Sequence, residues 1–351
     1  MKHLNLISKL TTAFLVVLFI SSCEKEVIKE VEAVTYSISG TVQYPDYSGT
    51  AIAADGAVVY LKIGATAATT AYDVATVADA NGNYSFSGLS AGSNFIYSNF
   101  DTENQNNPGG RVTGAIFVGE GALVVVEEAD VSQNFTLASV GQADAFAVNN
   151  YVGGDWAADW SHSNIDFSFP YDNDNATYTG SFELTETYVD FDPFSLSTSK
   201  IEATIDVLTI HTDSPGGRDP LYNSDGTLWQ DAVTMAYNLG CVHGYLGMEN
   251  DNPASANRYS TFKSTKIEAY GDGYLATGDF TLNGVTAPVS MFFKFFPGFE
   301  GTNRSGAPTL YSSFEGTFDF AAFQVFGVDS GHIGQTNDVT IDVSFQVTKA
   351  L

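Results

Sequence analysis

A serine in the stretch GLSAG lies in a pattern that positions the nucleophile of many hydrolases. Gly88-Leu89-Ser90-Ala91-Gly92 matches G-x-S-x-G, in which the serine attacks a carbonyl and backbone N–H groups stabilise the resulting oxyanion. That chemistry requires a strand before the serine and a helix after it. Here SNFIYSNF follows, which alternates like another strand. The pattern therefore favours a glycine-rich loop over a catalytic Ser90.

Metal-binding side chains are few and badly spaced. His211, Cys241 and His243 could be imagined as zinc ligands, but a structural zinc site needs a second pair at matching spacing. His332 lies in a glycine-rich loop and is most simply solvated. His162, at the start of a strand, is expected to satisfy hydrogen bonds there rather than to contact a ligand. The sequence predicts no metal and no cofactor.

A second polar segment, DANGN at residues 79–83, has some oxygen ligands that suit calcium. It lacks the bidentate acid that completes an EF-hand loop, whereas Asn-Gly is a strong signal for a two-residue hairpin turn. We therefore predict a hairpin at Asn81-Gly82. Because no H-E-x-x-H, P-loop or dinucleotide motif is present either, we predict that the protein is not an enzyme.

Composition narrows the class of protein. The 351 residues include 33 Gly, 18 Tyr and 26 Phe, and the formal net charge is -27. Many glycines and aromatics with few charges are typical of turn-rich β structure, and the length suggests two domains. A strongly acidic surface repels phosphates, so nucleic acids are excluded as partners.

The N-terminus predicts export and a lipid anchor. Lys2 and Lys9 flank the start of an apolar run that ends in Ile20-Ser21-Ser22-Cys23, the arrangement of a secretory signal peptide. I-S-S-C resembles the lipobox of bacterial lipoproteins, which implies a signal peptide at 1–22, lipidation of Cys23 and a solvated tether at 23–35. The alternative is an ordinary signal peptide whose cysteine stays free. With Cys23 lipidated, no internal disulfide can form. We expect the cell envelope as the location, on the periplasmic face or the outer surface of the outer membrane.

Residues 36–138 alternate in short runs separated by turns, as in a β-sandwich. The segments ISGTV, DANGNYSFSGLSAG and NFTL resemble those of the carboxypeptidase regulatory-like (transthyretin-like) domains. That resemblance implies a noncatalytic spacer or docking module. Residues 139–155 lack a clear period and form the predicted linker to a second domain at 156–351.

The second domain shows longer alternation. In ATGDFTLNGVTAPVSMFFKF, Asn283-Gly284 predicts a hairpin turn with Leu282 opposite Val285, both facing inward. Pro288 has no backbone N–H to donate to a neighbouring strand, so it predicts an edge, bulge or strand end. No helical pattern is long enough to cover the apolar faces, so the sheet must cover itself as a closed barrel or a sandwich.

Several motifs of this domain occur together in one order. They are DWSHSNIDFSF, YTGSFE, KIEATIDVLTIHT, Arg218-Asp219, TGDFTLNGVTAPVSM, FGV and NDVTIDVSFQV. This set resembles the YceI-like family, which implies a lipocalin-like eight-stranded antiparallel β-barrel whose apolar tunnel holds a polyisoprenoid or similar lipid. The chain departs from the family at Pro220-Leu221, where His-Leu is usual, at an apparent expansion over 228–259, and before Phe326, where a basic residue is often found.

The sequence thus predicts an all-β protein, an N-terminal β-sandwich followed by this barrel, that binds a long-chain apolar lipid as carrier, store or sensor. Two alternative functions stay open. The first is a cell-surface scaffold or adhesin whose barrel is filled by its own phenylalanines. The second is a hydrolase or isomerase, which needs a buried histidine or carboxylate. Ligand length, head group, membrane face and oligomeric state are not specified. The predicted ligand-binding residues are Ile165, Phe167, Phe182, Ile205, Val207, Phe280, Leu282, Val289, Met291, Phe293, Ile341, Val343 and Phe345.

Overall fold

Strands make up nearly all the regular structure in the described part of the chain. The computed structural model describes residues 34–102, 115–141, 154–171, 176–209, 211–212, 256–327 and 338–351. Among these residues, no helix has the length and hydropathy needed to cross a bilayer.

The described residues of the N-terminal part form ten strands. They are β1 (Tyr36–Pro45), β2 (Ala51–Ala53), β3 (Val58–Ile63), β4 (Val74–Val77), β5 (Asn83–Leu89), β6 (Gly92–Asp101), β7 (Ile116–Val118), β8 (Ala122–Val126), β9 (Val131–Ser132) and β10 (Phe135–Thr136). One five-stranded sheet is built on β1, which pairs with β2, β5, β9 and β10; the other joins β3, β4, β6, β7 and β8. Alternate residues such as Val42 and Val59 point between the sheets into one buried cluster, so this part is a sandwich.

The turn at Asn81-Gly82 forms, but the hairpin predicted there is wrong. β4 pairs with β3 and β5 pairs with β1, so the turn connects strands of different sheets. Gly82 has a φ of 76°, and a Cβ at this position would lie 2.4 Å from the Val42 carbonyl oxygen. An Asn-Gly pair predicts the backbone conformation of a turn. It does not predict which strand the following segment pairs with.

In the rest of the described residues, ten further strands and two short helical turns follow. They are β11 (Gly154–Tyr171), β12 (Ala176–Phe182), β13 (Leu184–Phe191), β14 (Lys200–Asp206), a 3-10 turn (Val207–Thr209), β15 (His211–Thr212), β16 (Tyr259–Tyr270), β17 (Gly273–Leu282), β18 (Val285–Thr302), β19 (Pro308–Ala321), α1 (Ala322–Phe326) and β20 (Asp338–Ala350).

These strands close into an antiparallel barrel. The neighbours run β13, β14, β16, β17, β18, β19, β20, β11, and the first residues of β11 return to β13, with Gly154 opposite Phe191. β12 lies along the second half of β11 and is separated from β13 by Glu183. The predicted all-β fold with an eight-stranded antiparallel barrel is confirmed.

The Asn283-Gly284 turn joins β17 to β18 with Leu282 opposite Val285. Asn283 has a φ of 51° and Gly284 of 72°, as the type I′ turn requires. Leu282 is buried in the barrel core, whereas Val285 is 39% exposed, so the inward pair predicted here is buried only at Leu282. Pro288 pairs with Asp279 and precedes the described β18–β19 ladder, which begins at Phe292. It therefore occupies an edge segment.

The outer face of the β17–β18 hairpin is covered by the sandwich. Leu275 and Phe292 point away from the barrel interior and join the buried cluster of the sandwich, together with Tyr270. The Phe117 ring meets the Tyr270 ring edge-on at 4.9 Å. Residues Tyr36–Leu351 accordingly form one compact unit.

Hydrogen bonds lie beside this apolar contact between the sandwich and the barrel. The Ile116 N–H donates to Asp272 Oδ1 at 2.9 Å, and Asp272 Oδ2 accepts from Lys294 Nζ at 3.0 Å. Burial raises the pKa of Tyr47 and of Tyr270, as expected where water is excluded.

We expect Phe292→Ala to lower the free energy of unfolding by about 3–5 kcal/mol, because it leaves a cavity between sandwich and barrel. Phe299 lies on the same strand but is 66% exposed. Phe299→Ala is therefore the control, with an expected cost of about 0.5–1.5 kcal/mol from its stacking on Tyr311. Urea unfolding measures both; equal costs would contradict the covered outer face.

Candidate functional site: an apolar cavity in the barrel

The barrel interior contains a partly open cavity with apolar walls. The space open to the centre of a water-sized sphere is about 50 Å³, which corresponds to roughly four water-sized groups. The Ser260 hydroxyl, a polar group in the wall, already donates to the Thr281 carbonyl at 2.7 Å. The lining residues are Ile165, Ile201, Ala203, Ile205, Ser260, Thr261, Phe262, Phe280, Met291, Phe314, Phe318, Ile341, Val343 and Phe345.

Strand alternation and register bring these side chains together. On β14, Ile201, Ala203 and Ile205 share the inner face because successive side chains of a strand point to opposite sides. Across the sheet, Ile165 of β11 lies opposite Val343 of β20. Residues distant in the sequence therefore form one continuous apolar wall.

The structure places seven of the thirteen predicted binding residues on this wall. They are Ile165, Ile205, Phe280, Met291, Ile341, Val343 and Phe345. The other six are buried in the same barrel core without lining the cavity: Phe167, Phe182, Val207, Leu282, Val289 and Phe293. Strand period distinguishes inward from outward residues, but it does not distinguish a packed position from a hollow one.

Sequence reasoning missed seven lining residues: Ile201, Ala203, Ser260, Thr261, Phe262, Phe314 and Phe318. A signal existed for four of them, since Ile201 and Ala203 alternate in IEATIDV, and Phe314 and Phe318 lie on one face in SSFEGTFDF. Ser260 gave none because its side chain is polar. Thr261 gave none because it lies on the other face of β16, opposite Thr204 and Thr281.

One end of the barrel interior is filled by aromatic rings, which we call the aromatic plug. It consists of Trp156, Phe191, Tyr274, Phe293, Phe295, Phe314 and Phe345, all at most 3% exposed. The Phe191 and Phe293 ring centroids are 5.4 Å apart, those of Phe293 and Phe314 are 5.0 Å apart, and those of Trp156 and Phe295 are 5.3 Å apart. The plug leaves the rest of the interior as the hollow part.

The opposite end is covered by α1, which we call the cap. Phe326 of the cap packs against Phe280 and Phe320, with ring centroids 5.2 Å and 5.4 Å away. Asn283 Nδ2 donates to the Phe326 carbonyl at 3.0 Å, and Asn283 Oδ1 accepts from Asn257 Nδ2 at 3.0 Å. The side chain of the hairpin turn therefore holds the cap in place.

An ion pair lies where β14 ends and β16 begins. Arg258 Nη2 is 2.6 Å from Asp206 Oδ2, and Nε donates to both carboxylate oxygens. The Asp206 carboxylate raises the pKa of Arg258. Asp206 follows Ile205 directly, on the other face of the strand, so these charges neutralise each other outside the apolar wall.

The polar candidates lie away from the cavity wall or outside the described residues. Ser90 is exposed in the short turn between β5 and β6, where no helix follows it. His162 is exposed, and its Nδ1 lies 3.0 Å from Asp159 Oδ2. Asp79 accepts from the Asn83 N–H at 2.8 Å, and that bond, with further hydrogen bonds in the turn, lowers its pKa.

Cys23, Cys241, His243, His332 and the side chain of His211 lie outside the part that the structure describes. Within the described residues, no group of three or more His, Cys, Asp and Glu side chains could hold a metal ion.

Comparisons with known proteins bear on the barrel. The YceI-like domain model matches residues 156–347. A comparison with curated proteins finds no match. Among solved structures, Burkholderia cenocepacia BcnA is 21% identical with a TM-score of 0.36, over 55% of this chain and 99% of that chain. The Campylobacter jejuni YCEI protein is 17% identical with a TM-score of 0.32, over 49% and 85%.

The volume of the cavity can be tested by filling it. We expect Ala203→Leu to leave the free energy of unfolding unchanged or to raise it by about 1 kcal/mol, because the added carbons occupy the hollow. Ala276→Leu is the control. Ala276 is also inward but fully buried in the packed core, so overpacking should cost about 1–3 kcal/mol. Urea unfolding of both compares them; an equal loss would contradict a hollow beside Ala203.

Proposed function

This chain belongs to the YceI-like domain family, and from that premise we propose that its barrel binds a polyisoprenoid or another long-chain apolar lipid. The observation that carries the proposal is the cavity in the barrel interior, lined mainly by aliphatic and aromatic side chains. An eight-stranded barrel is wide enough to hold one slender ligand. The apolar wall selects for a hydrocarbon chain and offers no site for a charged one.

Burial energies show what binding requires. Burying one CH₂-sized group is worth roughly 0.8 kcal/mol, so a five-carbon isoprene unit gains about 3–4 kcal/mol, whereas association costs about 4–15 kcal/mol. Several units must therefore be buried. The hollow of about 50 Å³ accepts roughly one unit. Tight binding thus requires side chains to move.

The cap is the part that we propose to move. It is a helix of five residues, and the amide of Asn283 donates to the carbonyls of Phe326 and Gly327 at its end. The cap ring, Phe326, is 1% exposed and packs on two rings, those of Phe280 and Phe320. In the plug, the Phe293 ring packs on three others. We therefore propose that a lipid enters at the cap end and displaces the cap rings.

We propose a noncatalytic role, as carrier, store or sensor. A hydrolase or isomerase acting inside the barrel needs a histidine or carboxylate that faces the ligand. The described residues that line the cavity are aliphatic, aromatic, serine and threonine. Unchanged lipid after incubation with the protein would support binding alone.

We further propose a lipoprotein anchored at Cys23 in the cell envelope, on the periplasmic face or the outer surface of the outer membrane. The support is the signal-peptide pattern with its lipobox, and several acyl chains are needed for stable anchoring. The division into a carboxypeptidase regulatory-like domain at 36–138, a linker at 139–155 and the barrel domain at 156–351 belongs to the same proposal.

One observation favours the rival function of a surface scaffold. The aromatic plug fills part of the barrel with the chain's own side chains, as a self-filled scaffold would. The two functions differ in whether lipid is bound, because a scaffold would instead bind a protein or glycan on its outer face.

Lipid binding is tested by organic extraction of the purified protein, mass spectrometry of the extract, and titration with geranylgeraniol. We expect bound lipid, and we expect Ala203→Leu to weaken geranylgeraniol binding at least tenfold by filling the hollow. Thr204 is the next residue on β14 and faces outward, so Thr204→Leu is the matched control with unchanged affinity. No extracted lipid and no titration by any polyprenyl compound would refute the proposal.

Access through the cap is tested at Asn283. Asn283→Gly keeps the left-handed turn but removes the hydrogen bonds to the cap, each worth about 0.5–1.5 kcal/mol. We expect release of a fluorescent isoprenoid analogue to become about 3–10-fold faster in stopped-flow displacement. Asn303→Gly is the control, since Asn303 makes comparable bonds to Ser305 and Ala307 in the β18–β19 turn. Equal release rates in all three proteins would rule out access at the cap.

A further inference from the structure

The cavity and the aromatic plug share two side chains. Phe314 and Phe345 line the cavity, and they also stack on each other with ring centroids 5.8 Å apart as part of the plug. Phe314 further stacks on Phe293 at 5.0 Å. The rings therefore form the floor of the hollow.

This floor is rigid on its inner side. Phe191 contacts three other plug rings, with centroids of Tyr274, Phe295 and Phe293 at 4.9, 5.1 and 5.4 Å. Moving one ring requires moving its neighbours, because interiors packed at this density have no free volume to receive it.

The sandwich packs against the outer face of the same part of the barrel wall. Tyr274 and Phe293 of the plug lie opposite each other on β17 and β18. Their direct neighbours in sequence, Leu275 and Phe292, are 1% and 2% exposed beneath the sandwich. The wall at the level of the plug is thus buried on both faces and cannot bend outward to admit a longer chain.

We infer that the barrel is a blind pocket, not an open tunnel, and that the aromatic plug sets the longest apolar chain it accepts. The inference rests on the proposed function and assigns a specificity-determining role to Phe314 and Phe345. Phe293 supports them, and the sandwich stabilises the wall behind. A chain inserts its hydrocarbon end first until it meets the floor, and any further isoprene units remain outside.

The test uses farnesol, geranylgeraniol and solanesol, which carry successively longer chains, titrated against the full-length protein. With the wild-type chain, affinity should reach a plateau, so that geranylgeraniol and solanesol differ by less than about twofold. In Phe314→Ala, which opens the floor, the affinity for solanesol should increase at least tenfold relative to that for farnesol.

Phe299→Ala is the control. Phe299 is a phenylalanine of β18 that is 66% exposed and belongs to neither the floor nor the cap, so its loss should leave the order of affinities along the series unchanged. Phe345→Leu makes a smaller opening and tests the floor if Phe314→Ala does not fold.

Three results would overturn the inference. Wild-type affinity that keeps rising up to solanesol would show an open tunnel. Floor variants with the wild-type length profile would show that the plug does not set the limit. If no alcohol of any length binds the wild-type chain, the proposed function itself fails and the inference fails with it, an outcome distinct from the first two.

Discussion

Burial of apolar side chains on both faces of the β17–β18 hairpin is the constraint on which the rest of the structure depends. Towards the barrel, Tyr274 and Phe293 close the plug; away from it, Leu275 and Phe292 complete the core of the sandwich. An antiparallel strand of a free-standing barrel would present polar residues on its outer face. This hairpin instead joins two β structures into one compact unit, which makes the sandwich a structural support of the barrel wall.

That support gives the barrel two unequal ends. At the plug end, rings pack against each other and against a wall fixed from outside. At the cap end, the described residues place one helical turn, α1, against Phe280 and Phe320, with hydrogen bonds from the Asn283 side chain. Under the proposed function, an apolar ligand would meet a closed floor at one end and the cap at the other.

Much of this fold followed from alternation in the sequence. The strands around Ile341, the hairpin at Asn283-Gly284 and the inward face of Met291 were all predicted, because a period of two and an Asn-Gly turn are local properties. Phe292 could not be understood in that way. It breaks the alternation of β18, and its cause is a tertiary contact with a sandwich that lies far away in the sequence.

The candidate site was predictable only in part for a related reason. Facing inward is a property of one strand, whereas lining a hollow depends on the sizes of residues on several strands. Phe293 and Met291 share an inner face, yet one fills space beside three rings and the other borders the cavity. Alternation in IEATIDV places Ala203 on the inner face. It does not show that the short side chain of Ala203 borders a hollow, because that depends on the residues of neighbouring strands.

The central claim is that the apolar cavity is the place where a lipid chain lies. Nuclear Overhauser contacts between an isoprenoid alcohol and ¹³C-labelled isoleucine methyl groups test it most directly, because Ile165, Ile201, Ile205 and Ile341 line the cavity while Ile38 and Ile96 lie in the sandwich core. The account predicts contacts to the four cavity isoleucines and none to the other two. Contacts confined to exposed isoleucines such as Ile63 would contradict it.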